Sequence, residues 1–194
     1  MKKSISVRKI MNNRRQIRLK NYDYSENGAY FVTICSKNKE ALFGKVVGDG
    51  ILDVPLAERD DNGKVYVKLS DVGQTVQQTI KYLDEHNENI EIEKYVIMPN
   101  HIHLLITINR INNEGFGTSG KPSPTENGLK TRANEIIPKL ISSLKRYTNK
   151  QAGIDLWQRS YYDHIIRTQK DYDEIWEYID TNPLKWELDK YYMQ

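Results

Sequence analysis

A chain of 194 residues has room for one well-buried domain with appendages and little room for two. A formal net charge of +3 makes any nucleic-acid contact a matter of where the charges sit rather than of their sum. One cysteine, Cys35, excludes an intrachain disulfide and a cysteine-built zinc site. There is no apolar run of membrane-span length and no hydrophobic segment after Met1, Lys2, Lys3 and Ser4. The expectation is therefore a cytoplasmic protein with no signal peptide and no membrane contact.

Residues 1–22 carry Lys2, Lys3, Arg8, Lys9, Arg14, Arg15, Arg18 and Lys20 with no acidic residue among them. A one-sign arm of this kind serves either as a solvated tail or as a set of phosphate contacts. Ala29 to Ser36, rich in β-branched and aromatic residues, follows the turn-forming Glu26, Asn27 and Gly28 and reads as a first core strand. Ala41 to Val47 and Lys64 to Leu69 read as two more strands, separated by turns through Gly48, Gly50, Pro55, Asn62 and Gly63. Ser70 caps a helix running to about His86, with Val72, Val76, Ile80 and Leu83 along one face.

Ile90 to Met98 reads as a strand, and Pro99 with Asn100 turns it into an antiparallel partner that carries His101 and His103. Alternation along that partner sends both histidines to one face and Ile102, Leu104, Ile106 and Ile108 to the other. Residues 109–133 have the glycine, proline, serine and threonine content of a mobile loop. A helix over Ile137 to about Gln151 follows, with Leu140, Ile141, Leu144, Tyr147 and Thr148 on one side. Lys139, Ser142, Ser143, Arg146 and Lys150 lie on the other, a basic face interleaved with hydroxyls that can follow a phosphate backbone. Trp157 to Arg167 is extended and ends in a strand. Thr168 and Asp171 then open a last helix, closed by Pro183, whose apolar arc is Tyr172, Ile175, Trp176 and Ile179. Tyr178 and Asn182, four residues apart, stack at the edge of that arc.

Four features require one explanation: the histidine pair, the Tyr178–Asn182 edge, the basic arm and the basic helix. Two imidazoles on one strand face form half of a metal site, since neutral rings crowded together leave ring nitrogens unpaired unless something electrophilic lies between them. A phenol, with a pKa of about 10, is a weak nucleophile at neutral pH and needs an activated phosphate. A divalent cation held by the two imidazoles and the Asn182 carboxamide supplies that activation, and Tyr178 is the tyrosine placed to attack.

The same residues resemble a known family. The run from Tyr95 to Ile106, YVIMPNHIHLLI, is similar to the His-hydrophobe-His signature of the HUH single-strand nucleases, specifically the small single-tyrosine transposases of bacterial insertion sequences. The REP-associated branch is the closer match. It resembles this chain from Arg15 to Tyr24, from Gly28 to Cys35, and in the late blocks Trp157–Gln158, Asp163 to Arg167 and Tyr178 to Pro183. The matched blocks span nearly the whole chain outside 48–63 and 109–133.

The resemblance implies a ferredoxin-like α+β domain over 23–194, with a central antiparallel sheet of about four to five strands flanked by helices. It implies Tyr178 as nucleophile, His101, His103 and Asn182 as ligands of Mg2+ or Mn2+, and single-stranded or hairpin DNA with REP-like palindromes as substrate. Cleavage would leave a 5′-phosphotyrosine and a free 3′-hydroxyl, in a monomer or homodimer. Arg14, Arg15 and Arg18 of the arm and Lys139, Ser142, Arg146 and Lys150 of the basic helix are the candidate DNA contacts. His164 matches a family position with no catalytic reason attached and reads as a structural, hydrogen-bonded histidine. Two rivals remain: a DNA-hairpin binding protein without catalysis, and a zinc hydrolase, for which only His86 and His164 are further imidazoles.

Deletion of residues 1–20 is expected to weaken DNA binding and to flatten its dependence on salt, since each lost phosphate contact reduces counterion release. Titration of fluorescent hairpin DNA at several salt concentrations reads both quantities. An unchanged slope identifies the arm as a solvated tail.

Overall fold

The computed structural model describes residues 26–48, 65–109 and 135–192. The arm, with Arg14, Arg15 and Arg18, and most of the expected loops at 48–63 and 109–133 lie outside the described residues. In chain order the elements are β1 (Gly28–Cys35), β2 (Gly44–Val47), β3 (Tyr66–Leu69), α1 (Asp71–Glu85), β4 (Ile90–Met98) and β5 (His101–Ile108). They continue with α2 (Ile136–Ala152), β6 (Tyr162–Ile166) and α3 (Gln169–Thr181), followed by a 3-10 helix over Pro183–Leu188.

Four strands form one sheet in the order β4-β5-β1-β6, with every neighbouring pair antiparallel. Read with α1 and α2, the succession β1, α1, β4, β5, α2, β6 is the ferredoxin-like β-α-β-β-α-β arrangement. The expected second and third strands do not join this sheet. They pair with each other as a separate two-stranded ribbon between β1 and α1.

Side-chain alternation divides the interior into two layers. Tyr30, Val32 and Ile34 of β1 and Ile102, Leu104, Ile106 and Ile108 of β5 pack with Val76 and Ile80 of α1 and Ile137, Leu140, Ile141 and Leu144 of α2. The opposite face, through Phe31 and Leu105, packs against Ile179 of α3 with Tyr172, Ile175 and Tyr178 around it. The larger apolar layer therefore lies on one side of β5 and both histidines lie on the other, as the alternation predicts.

Local chemistry sets the helix ends. Ser70 Oγ accepts from Gly73 N at 3.1 Å, and Thr168 Oγ1 accepts from Asp171 N at 3.2 Å, so both expected N-caps form. Gly153, at φ 70°, ends α2 in the left-handed conformation that favours glycine. One helix-face assignment changes. Tyr147, expected on the buried side of α2, is 48% exposed and lies parallel to Tyr82, ring centroids 6.3 Å apart. It sits at the rim of the α1–α2 contact, where an aromatic ring is covered by another ring rather than by the sheet. Trp176 of the expected α3 arc is likewise 38% exposed, with Lys94 Nζ 3.8 Å above its ring.

Gly73 shows how tightly α1 is seated on the ribbon. A Cβ there would come within 2.0 Å of the Phe43 carbonyl oxygen. Replacing a helix-interior glycine with alanine ordinarily gains about 1 kcal/mol. Here overpacking against backbone costs about 1–3 kcal/mol and reverses the sign. Gly73→Ala is expected to lower the urea midpoint; a raised midpoint would mean that the ribbon yields freely.

Candidate active site and metal centre

β5 holds the two histidines at the centre of the sheet, paired across to β1 with His103 opposite Thr33 and His101 opposite Cys35. Both rings are buried, at 0% and 1% exposure. Their Nε2 atoms approach to 3.0 Å, and each Nδ1 has its own partner. His101 Nδ1 lies 2.9 Å from Asn100 Oδ1 and His103 Nδ1 lies 2.8 Å from Thr33 Oγ1.

Asn100 settles the tautomer of His101. Its Nδ2 donates to the carbonyls of Lys39 and Tyr191, at 3.2 and 2.8 Å, so its Oδ1 is the end that faces the ring. His101 must then donate from Nδ1, which leaves Nε2 with a lone pair. An outward hydrogen bond from the non-ligating nitrogen is the usual support for a metal-ligating histidine.

The third side of the site comes from α3 and the chain after it. Tyr178 Oη lies 3.3 Å from His103 Nε2 and donates to Asp189 Oδ2 at 3.1 Å. Asn182, the residue after α3, donates from Nδ2 to the same oxygen at 3.0 Å, while its Oδ1 is buried without a hydrogen-bond partner. The 3-10 turn over Pro183–Leu188 brings Asp189 back to this spot, and the Tyr191 N–H then holds Asp189 Oδ1 at 2.8 Å. Trp186 and Tyr191 close over His101, their ring centroids 5.9 and 4.5 Å from it. Phe31 stacks on His103 at 5.0 Å.

Burial dominates the electrostatics. It holds the His101 imidazole neutral, with a pKa lowered to about 4; Asp189 opposes the shift, and Lys190 and Lys39 add to it. His103 is pushed well below the ordinary histidine value by burial, then by His101 and Lys190. Burial and the Asp189 carboxylate raise the Tyr178 phenol, so its proton is tightly held.

The residues present fit a divalent cation. Two nitrogens each about 2.1 Å from an ion, at the right angle of an octahedral shell, stand about 3.0 Å apart. That matches the separation of the Nε2 atoms. The unpartnered Asn182 Oδ1 supplies a neutral oxygen donor, and a carboxylate oxygen of Asp189 lies within 4.8 Å of the ring nitrogens.

His101, His103, Tyr178 and Asn182 are thus brought together as the sequence predicts. The α2 stripe is not. Lys139, Ser142, Arg146 and Lys150 are exposed, but α2 packs on the face of the sheet opposite the histidines. On the histidine side Lys190 lies 4.8 Å from the Tyr191 ring and 5.6 Å from that of Tyr162, Lys39 lies 5.7 Å from the Tyr191 ring, and Lys94 of β4 lies over Trp176 of α3. His164 has the structural role expected of it, with Nε2 2.8 Å from Asp171 Oδ2 at the start of α3. Asn100, Thr33 and Asp189 were missed. Asn100 adjoins His101 and could have been found; Asp189 follows Asn182 by seven residues through an irregular turn that no periodicity encodes.

A protein of Haemophilus influenzae that carries no functional name is 34% identical to this chain over 190 residues, covering 94% of this chain and 95% of its own. A second protein of that organism, provisionally named a REP-associated tyrosine transposase, is 26% identical over 163 residues, 84% of this chain and 74% of its own. Among solved structures, a REP-associated tyrosine transposase bound to a REP hairpin shares the fold with a TM-score of 0.55 at 18% identity. That match covers 89% of this chain and 76% of that one. No family model matches the chain. The chain is thus similar to a protein provisionally named a REP-associated tyrosine transposase and shares the fold of a solved one. Among the described residues, no helix is long and apolar enough to cross a membrane.

The neutral histidines predict a pH dependence. Their folded pKa values lie below that of the unfolded chain, so between about pH 6.5 and 4 the unfolded chain binds more protons. In chelator-treated protein, stability is complete above about pH 6.5 and falls on acidification through this window, by up to roughly 1 kcal/mol per pH unit for each ring. Urea titrations at about pH 7 and 5 read the loss, and His101→Gln should reduce it. Equal loss in that variant would remove His101 as a cause.

Proposed function

We propose that this protein is a metal-dependent, hairpin-specific single-strand DNA endonuclease and strand transferase that acts through a 5′-phosphotyrosine. The observation that carries the reading is the convergence at one buried point of the Tyr178 hydroxyl, 3.3 Å from His103 Nε2, with a histidine pair whose Nε2 atoms are 3.0 Å apart. Support for the substrate comes from the similar fold of a REP-associated tyrosine transposase, which is seen bound to a REP hairpin.

His101, His103 and Asn182 Oδ1 would hold Mg2+ or Mn2+, which when bound supplies charge to a non-bridging oxygen of the scissile phosphate. Tyr178 is delivered by α3, with Phe31 against its ring edge at a centroid distance of 6.0 Å. Its hydroxyl already donates to Asp189 Oδ2, so that carboxylate receives the proton as Oη bonds to phosphorus. The bond to the 3′ oxygen breaks, and that oxygen leaves as a hydroxyl by taking a proton from water. Because the phosphotyrosine bond preserves the energy of the phosphodiester, a second 3′-hydroxyl can reverse the step and join strands without ATP. Lys39 and Lys190 give the DNA strand positive charge on the catalytic face. The α2 stripe, on the opposite face of the sheet, is left to the more distant parts of a folded hairpin.

A second reading, hairpin binding without catalysis, draws on the burial of both histidines beneath Trp186 and Tyr191. On that reading the tail segment stays in place and no phosphate reaches the pair.

Incubation with 5′- or 3′-labelled hairpin DNA and Mn2+ tests the proposal, with covalent protein–DNA product as the readout. Wild type is expected to form an adduct on the 5′ side of the break. His101→Ala and His103→Ala should bind DNA and form none. Tyr178→Phe should bind both DNA and Mn2+ and form none. Asn182→Ala should recover part of its cleavage at raised cation concentration. Tight DNA binding by wild type with no adduct under any cation selects the second reading. An adduct surviving Tyr178→Phe, with Tyr161, Tyr162 or Tyr172 modified, overturns the assignment of the nucleophile.

A further inference from the structure

The two ends of the Asn182 amide have opposite fates. The side chain is 1% exposed; Nδ2 donates to Asp189 Oδ2 at 3.0 Å, and Oδ1 is buried with no hydrogen-bond partner. A carboxamide turned end for end keeps nearly the same shape, so packing does not choose between its two orientations. Neighbouring chemistry does. A carboxylate only accepts, and an amide that faces one must present its NH2.

Asp189 is itself held in place. Tyr191 N–H donates to its Oδ1 at 2.8 Å and Tyr178 Oη donates to its Oδ2 at 3.1 Å. Both oxygens are therefore engaged by protein donors, whereas the Asn182 Oδ1 has none. We infer that Asp189 is a positioning residue, which by taking the Asn182 amide hydrogen keeps Asn182 Oδ1 as the oxygen available to a divalent cation at the histidine pair. The inference rests on the metal site of the proposed function and adds a device that sets its third ligand. It assigns Asp189 a role distinct from ligation, although one of its oxygens lies within 4.8 Å of the ring nitrogens.

Asp189→Asn is nearly isosteric but can both donate and accept, so it no longer dictates the direction of Asn182. Asp189→Glu keeps an acceptor-only group. Calorimetric titration with Mn2+ alone, without DNA, separates the roles. Wild type should bind Mn2+, and Asp189→Asn should weaken binding about tenfold or more, the usual effect of losing a group that orients a ligand. Asp189→Glu should retain more of the affinity than Asp189→Asn. The double variant Asn182→Ala with Asp189→Asn should bind Mn2+ no more weakly than Asn182→Ala alone, because Asp189 acts on the ion only through Asn182.

Unchanged affinity in Asp189→Asn overturns the inference and leaves the metal site standing. Additive losses in the double variant also overturn it, by showing that the carboxylate acts on the ion independently of Asn182. Absence of Mn2+ binding in wild-type protein removes the metal site itself, and the inference with it.

Discussion

The two imidazole nitrogens held 3.0 Å apart on β5 are the constraint around which the molecule is arranged. Burial holds both histidines neutral with lone pairs to offer, and the neighbouring His101 adds to the effect at His103. The position on β5 makes this affordable. The strand lies between β1 and β4 in the sheet, and its opposite face, through Ile102, Leu104 and Ile106, belongs to the larger apolar layer. Strand alternation thus ties the histidine face to the larger apolar layer. Asn100 and Thr33 then orient the rings from their outer nitrogens.

A second group of contacts depends on that pair. Tyr178, Asn182 and Asp189 form one hydrogen-bonded unit at the junction of α3 and the chain after it, and this unit meets the pair at His103. Asp189 is the hub, since both the phenol and the amide donate to one of its oxygens. Charge is distributed differently. The exposed basic stripe of α2 lies across the sheet from the histidine pair, so the two occupy different faces of the domain. Lys39 and Lys190 lie on the side of the histidine pair, against the Tyr191 ring.

Much of this was legible in the sequence because it follows strict periods. The period of two along Ile102 to Ile108 placed the histidines on one face. The four-residue offset of Tyr178 and Asn182 placed them together at the end of α3. Serine and threonine at helix starts announced both caps. Tertiary terms were not legible. Helical spacing put Tyr147 on the buried side of α2, yet the rim of the α1–α2 contact leaves it beside Tyr82. The stripe from Lys139 to Lys150 was correctly read as exposed, but spacing within one helix cannot say which face of a sheet that helix covers. Asp189 carries no signal, since the irregular turn after Pro183 and not a repeat brings it to Asn182.

The central claim is that His101 and His103 together hold a divalent cation, and pulsed electron paramagnetic resonance of bound Mn2+ tests it most directly. The account predicts nitrogen couplings from two imidazoles in the wild-type protein, reduced to one in His101→Ala wherever residual Mn2+ binding permits measurement. Mn2+ bound with oxygen and water couplings alone, and with no imidazole nitrogen, would contradict it.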